Sequence, residues 1–148
     1  MQIDYSIPRG IRNNNPGNIR ATEIVWNGET DGYDEAFEMF TAPEYGIRAM
    51  VRILKAYARR DLDTLEEIIT TWAPPVENDT RAYVDAVATR TGLSADDVVD
   101  LNNADQVFRL VRAIIFHENG DNPYDAIVLA KGITLAGVFN DDNMNARG

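Results

Sequence analysis

Apolar residues return at helical spacing along most of this chain, and residues 9 to 40 are the stretch where that spacing is lost. Ile47, Met50, Val51, Leu54 and Tyr57 share one helix face, and Thr41-Ala42-Pro43-Glu44 ahead of them offers a capping box with proline at the first helical position. This predicts a helix ending near Arg60. A second helix, opening after Asp61 or Asp63, carries Leu65, Ile68, Ile69 and Trp72 until Pro74-Pro75 stops it. A third starts near Asn78 or Asp79, buries Tyr83, Val84 and Val87, and ends at Gly92. Ser94-Ala95-Asp96-Asp97 reads as the cap of a short fourth segment reaching about Leu101. The fifth carries the stripe Val107, Leu110, Val111, Ile114 and Ile115. The sixth is expected to begin at the cap-proline pair Asn122-Pro123 and to run through Ile127, Leu129, Ala130, Ile133 and Leu135 to about Val138.

Residues 9 to 40 are rich in Asn and Gly, with Trp26 before Asn27-Gly28 and an apolar patch at Phe37, Met39 and Phe40, which reads as loops with short strands at most. No repeat of fixed period is visible. The expectation is a mainly α single domain over residues 1 to 138 with an irregular or small-β N-terminal lobe. The polar residues 139 to 148 are expected to form a disordered tail.

Composition narrows the chemistry more than the fold. A chain of 148 residues can bury about two thirds of its unfolded surface without staples. With no cysteine and a single histidine, disulfides, thiolate catalysis and multi-histidine metal sites are excluded, and no metal or cofactor is expected. A formal net charge of -10 argues against nucleic-acid or anionic-membrane partners, and predicts only weak steering towards a polyanionic substrate such as cell-wall polymer. The N-terminus MQIDYSIPRG has no apolar signal region, and no segment approaches the roughly 18 to 20 apolar residues of a membrane span, so synthesis as a soluble cytoplasmic product is expected.

Glu118 stands out against this background. It is the next position on the stripe that buries Ile114 and Ile115, and Asn119-Gly120 breaks the helix directly after it. Burial and the negative end of the helix dipole both favour the protonated carboxyl, which is what a general acid requires. The other reading is an exposed residue of a frayed last turn. His117 beside it reads as structural or cleft-lining. No G-x-S-x-G elbow and no phosphate-binding glycine loop is present, which leaves carboxylate chemistry, and a helical domain with an isolated, partly buried glutamate points to glycosidic bond cleavage.

The supporting residues have two readings each. Tyr83 is either core or part of a cleft. Glu77 and Asp79 either cap the third helix or supply a second carboxylate, and Glu44 reads first as a cap. The Asn13-Asn14-Asn15-Pro16-Gly17-Asn18 run reads as a turn held by side-chain amides, and Asn15, Asn18 and Arg20 also suit the hydroxyl and acetamido groups of amino sugars. Trp72 reads as core, and Trp26 as core or a sugar-stacking platform.

Two segments resemble soluble lytic transglycosylases. PPVENDTRAYVDAV, Pro74 to Val87, is similar to their P-E-T-R-x-Y-V-x-x-V stretch, with Tyr83 at the tyrosine, and IIFHENGDNPYDA, Ile114 to Ala126, is similar to I-x-x-E-S-x-x-N-P-x-A, with Glu118 at the catalytic acid. NNNPGNIR, Trp26 with Asn27-Gly28, and FEMFTAPEYGIRAMVRILKAY resemble the N-N-x-F-G-I-K, W-x-G and F-x-x-Y-x-S elements of bacterial glucosaminidases, which also have a lysozyme-like fold. In those families the catalytic glutamate comes first, whereas Glu118 follows the other elements here. A circular permutation of the lysozyme-like fold reconciles the order, and close surface termini make one cheap.

RGIRNNNPGNIR through WAPPVENDTRAY to HENG also resembles a family of phage and prophage virion proteins. The resemblances imply a phage- or prophage-encoded enzyme that cleaves the β-1,4 bond between N-acetylmuramic acid and N-acetylglucosamine, reaching the wall through a holin or from inside the virion. Its partners would be glycan strands and other virion proteins. The alternatives are a non-catalytic virion or assembly protein that retains the fold, and an acidic interaction module.

Overall fold

The computed structural model describes residues 2–76 and 78–139. Six helices lie in that part of the chain: α1 Arg9–Arg12, α2 Pro43–Arg59, α3 Leu65–Trp72, α4 Thr80–Thr91, α5 Ala104–Asn119 and α6 Ala126–Leu135. The protein is mainly α. Extended pairing among the described residues is limited to isolated antiparallel bridges, Arg20 with Phe37, Glu29 with Phe40 and Thr64 with Val98. Glu77 and the expected tail beyond Phe139 lie outside the described residues.

The stripes read from the sequence face one core. Ile47, Met50, Val51 and Leu54 of α2 meet Leu65, Ile68 and Ile69 of α3, Val84 and Val87 of α4, and Val107, Leu110, Ile114 and Ile115 of α5 in one cluster. Full burial of each Leu or Ile side chain contributes about 2 kcal/mol relative to exposure. α2 packs on α6, and α4 lies between α3 and α5.

Helix ends depart from expectation in four places. Thr41 does not cap α2: the N-cap is Ala42, without a side-chain hydrogen bond, and Pro43 starts the helix by supplying its fixed φ. The capping box forms instead at α3, where Thr64 Oγ1 accepts from Glu67 N and Glu67 reaches back to Thr64 N. The expected short helix over residues 94 to 101 is absent. The segment's carbonyls serve α3: Leu65 N donates to Asp97 O and Glu66 N to Ala95 O. Finally, α6 opens at Ala126, because Asn122 Oδ1 is used in accepting from Tyr124 N and Asp125 caps the helix by accepting from Val128 N.

Residues 13 to 40 form the irregular lobe, and asparagine side chains tie it together. Asn13 Nδ2 donates to Asp34, Asn14 Nδ2 to Phe40 O, and Asn15 Nδ2 to both Ile19 O and Glu38 O. Asp34 also accepts from Arg9 at 2.6 and 2.7 Å and from the backbone of Ala36 and Phe37. These bonds hold its carboxyl well below the usual carboxylate range, with Arg9 the largest cause. The one-turn α1 was not legible, since four residues carry no periodicity.

Candidate active site

Glu118 sits in the last turn of α5, one residue before Asn119, and Gly120 ends the helix with φ +70°, a conformation costly to any residue with a Cβ. The helix therefore stops just past its apolar stripe and presents the half-buried carboxyl at the core's edge. Two side chains from distant parts of the chain meet it. Tyr83 Oη on α4 donates to Glu118 Oε2 at 2.8 Å, and Asn18 Nδ2 donates to Oε1 at 2.9 Å.

The sequence places Asn18 there through backbone geometry. Asn14 and Asn18 both adopt left-handed φ, 53° and 52°, which asparagine tolerates better than most residues. Asn119 Nδ2 donates to Pro16 O at 2.8 Å and, within α5, to Ile115 O at 2.9 Å, so the loop is fastened to the end of the helix at Asn119 as well as at Glu118. Gly17 permits the close approach: a Cβ there would lie 2.7 Å from Met50 Cγ and 2.8 Å from Trp72 Cζ2.

Tyr83 is 2% exposed, and His117 stacks on its ring with centroids 3.8 Å apart. Burial first, then the charge of Glu118 and the hydrogen bond to it, push the Tyr83 phenol far above its ordinary range, so it remains a hydroxyl. Both partners of Glu118 are amphoteric. A phenol oxygen accepts as well as donates, and an amide can turn its oxygen to a carboxylic proton. The cluster can thus hold Glu118 in place whether or not it carries a proton.

Glu118 opens onto a groove of about 530 Å³. The N-terminal lobe lines it with Asn18, Arg20, Thr22 and Phe37, and the helices contribute Tyr57 and Trp72. Among the described residues lining it, Glu118 is the only carboxylate. Aromatic rings beside hydroxyl, amide and guanidinium groups suit a ligand with apolar ring faces and hydroxyl edges, the surface of a sugar.

Of the candidate residues, the structure brings together Glu118, Tyr83, Asn18 and Arg20, whose guanidinium lies 4.9 Å from the Phe37 centroid. Asn15 does not reach the groove. It is fully buried, and its amide is consumed by Ile19 and Glu38 backbone groups. Asp79 caps α4 by accepting from Ala82 N, and Glu44 pairs with Lys131 at 3.4 Å. Trp72, expected in the core, packs against it but is half-exposed and lines the groove, while Trp26 packs on the core away from it. Tyr57, Thr71 and Asn119 were not singled out from the sequence; Tyr57 was visible as a polar-tipped aromatic at the end of an apolar stripe. Among the described residues no group of three or more His, Asp or Glu could hold a metal ion, and no helix is long and apolar enough to cross a membrane.

No family model matches the chain. It is 41% identical over 129 residues to Protein P5 of Pseudoalteromonas phage PM2, an alignment covering 84% of this chain and 79% of that protein. Identity of this extent over most of both chains shows that the protein belongs to the family of phage PM2 protein P5.

Proposed function

We propose that this phage-family protein is a peptidoglycan glycosidase acting as a lytic transglycosylase, with Glu118 as general acid and then base. The observation that carries the reading is the 2.8 Å contact between Tyr83 and Glu118. Each lies in a segment that separately resembles the transglycosylases, and the two meet although their order along the chain is reversed. A circularly permuted lysozyme-like fold accounts for both facts.

In this mechanism protonated Glu118 gives its proton to the glycosidic oxygen as the bond to the muramyl C1 breaks with oxocarbenium character. Glu118, now a carboxylate, takes the proton from the muramyl 6-hydroxyl, whose oxygen closes on C1. The product is a 1,6-anhydro sugar, water is not consumed, and the protein ends as it began. One carboxylate suffices, in keeping with the single acid lining the described groove. Tyr83 and Asn18 position that acid, while Trp72 and Tyr57 stack on sugar rings. The protein is made in the host cytoplasm and reaches the wall through a holin or within the virion.

The test is release of soluble fragments from dye-labelled sacculi. Wild type should release dye and Glu118→Gln should fall to background with its fold intact by circular dichroism. An inactive wild type would leave the non-catalytic virion or assembly role, and an active Glu118→Gln would move the site elsewhere.

A further inference from the structure

Although the chain holds 24 acidic residues against 14 Lys and Arg, three arginines converge on one hollow away from the groove. Arg90, Arg109 and Arg112 line a cavity of about 230 Å³ with Phe116 and Asn122, and none of these residues lines the groove. Arg112 and Glu118 are six residues apart on α5, which places them about 120° apart around the helix. The Arg90 guanidinium stacks 3.6 Å from the Phe116 centroid, and that of Arg112 lies 5.5 Å from the Phe108 centroid. Stacking fixes the plane of a guanidinium and leaves its in-plane N–H edge free to bind an oxyanion.

Arg109 is paired with Asp105 at 3.1 Å. Neither Arg90 nor Arg112 has a carboxylate partner among the described residues, and the other acid at the margin is Asp121, in the adjoining hollow. Two guanidiniums without carboxylate partners at one hollow give it a local positive charge, which attracts an anion able to bridge them. That adjoining hollow shares Arg90, Arg112, Phe116 and Asn122 and adds the ring surfaces of Phe108 and Tyr124.

From this arrangement we infer that Arg90, Arg112 and Asn122 form a binding site for a phosphomonoester, with its organic part against Phe108 and Tyr124. A phosphomonoester dianion supplies two negative charges in one group and a further acceptor oxygen for the Asn122 amide, which a single carboxylate does not. The ester could be a soluble metabolite or the headgroup of a phosphatidate-bearing membrane.

The experiment titrates the full chain with glycerol 3-phosphate at low ionic strength by calorimetry, and in parallel sediments it with phosphatidate and with phosphatidylcholine vesicles. Saturable binding, weakened by about tenfold or more in Arg90→Gln and in Arg112→Gln and less in Arg112→Lys, supports the site. Arginine-dependent sedimentation with phosphatidate vesicles alone assigns the lipid headgroup, and arginine-dependent glycerol phosphate binding without sedimentation assigns a soluble ester. Absence of saturable binding to either probe overturns the proposal, as does binding that survives both Gln substitutions in variants that melt like wild type.

Discussion

Replacing Glu38 by Gln should stabilise this protein at neutral and alkaline pH and leave it unchanged near pH 4.5. Glu38 is 5% exposed in the N-terminal lobe, accepts from Thr22 N at 3.3 Å, and has its other oxygen buried without a donor. Burial first, then the hydrogen bond and charge of Glu29, push its carboxyl up from 4.5 to about 7. The proton is therefore kept on folding. Below pH 4.5 both folded and unfolded chains carry it and no stability is lost. Between pH 4.5 and 7 the unfolded chain releases it while the folded chain does not, so stability falls as pH rises, by about 3 kcal/mol in total, and then levels. Glutamine mimics the protonated form at every pH and removes that loss. Urea unfolding of wild type and Glu38→Gln from pH 4.5 to 8, with exposed Glu35→Gln as a charge control, measures it directly. A flat wild-type profile across that window, or a variant less stable than wild type at pH 8, would refute the reasoning.

Other parts of the account predict further measurements. Tyr83→Phe should keep the fold but lower sacculus degradation about tenfold or more, because Glu118 loses a donor that holds it in place; unchanged turnover would show that the contact is not used. Asp34→Asn should selectively remove stability at neutral pH, since the depressed carboxyl stabilises the fold above its unfolded value of 3.8 and loses that contribution as pH falls, so thermal melts of variant and wild type should converge in acid. Gly17→Ala should cost about 1 to 3 kcal/mol and impair the groove together, because Met50 and Trp72 cannot both move aside for the new Cβ; equal urea midpoints would contradict the packing.

The helices were legible where a long apolar stripe had to be buried, as in α2 and α5. Segments whose backbone bonds are made by other elements were not. The stretch 94 to 101 looks like a capped helix until its carbonyls are seen to accept from the start of α3, and Asn122 looks like a cap until its side chain is seen to close a turn instead. Within the site, Glu118 could be picked out because it is a carboxylate at the end of an apolar stripe, and Tyr83, which lies within a stripe, only through the resemblance of its segment to the transglycosylases. Asn15 and Asn18 could not be told apart, since the same amide serves a loop interior or a cleft; backbone direction alone sends Asn15 inward and Asn18 to Glu118. Trp72 shows the same limit, with one edge of the ring on the core and the other on the groove.

The most direct test of the central claim is mass analysis of the fragments that wild type and Glu118→Gln release from purified peptidoglycan. The account predicts muropeptides ending in 1,6-anhydro-muramic acid, lighter by one water than hydrolysis products, from wild type and none from the variant. Intact sacculi after incubation with wild type, or equal release by Glu118→Gln, would contradict it.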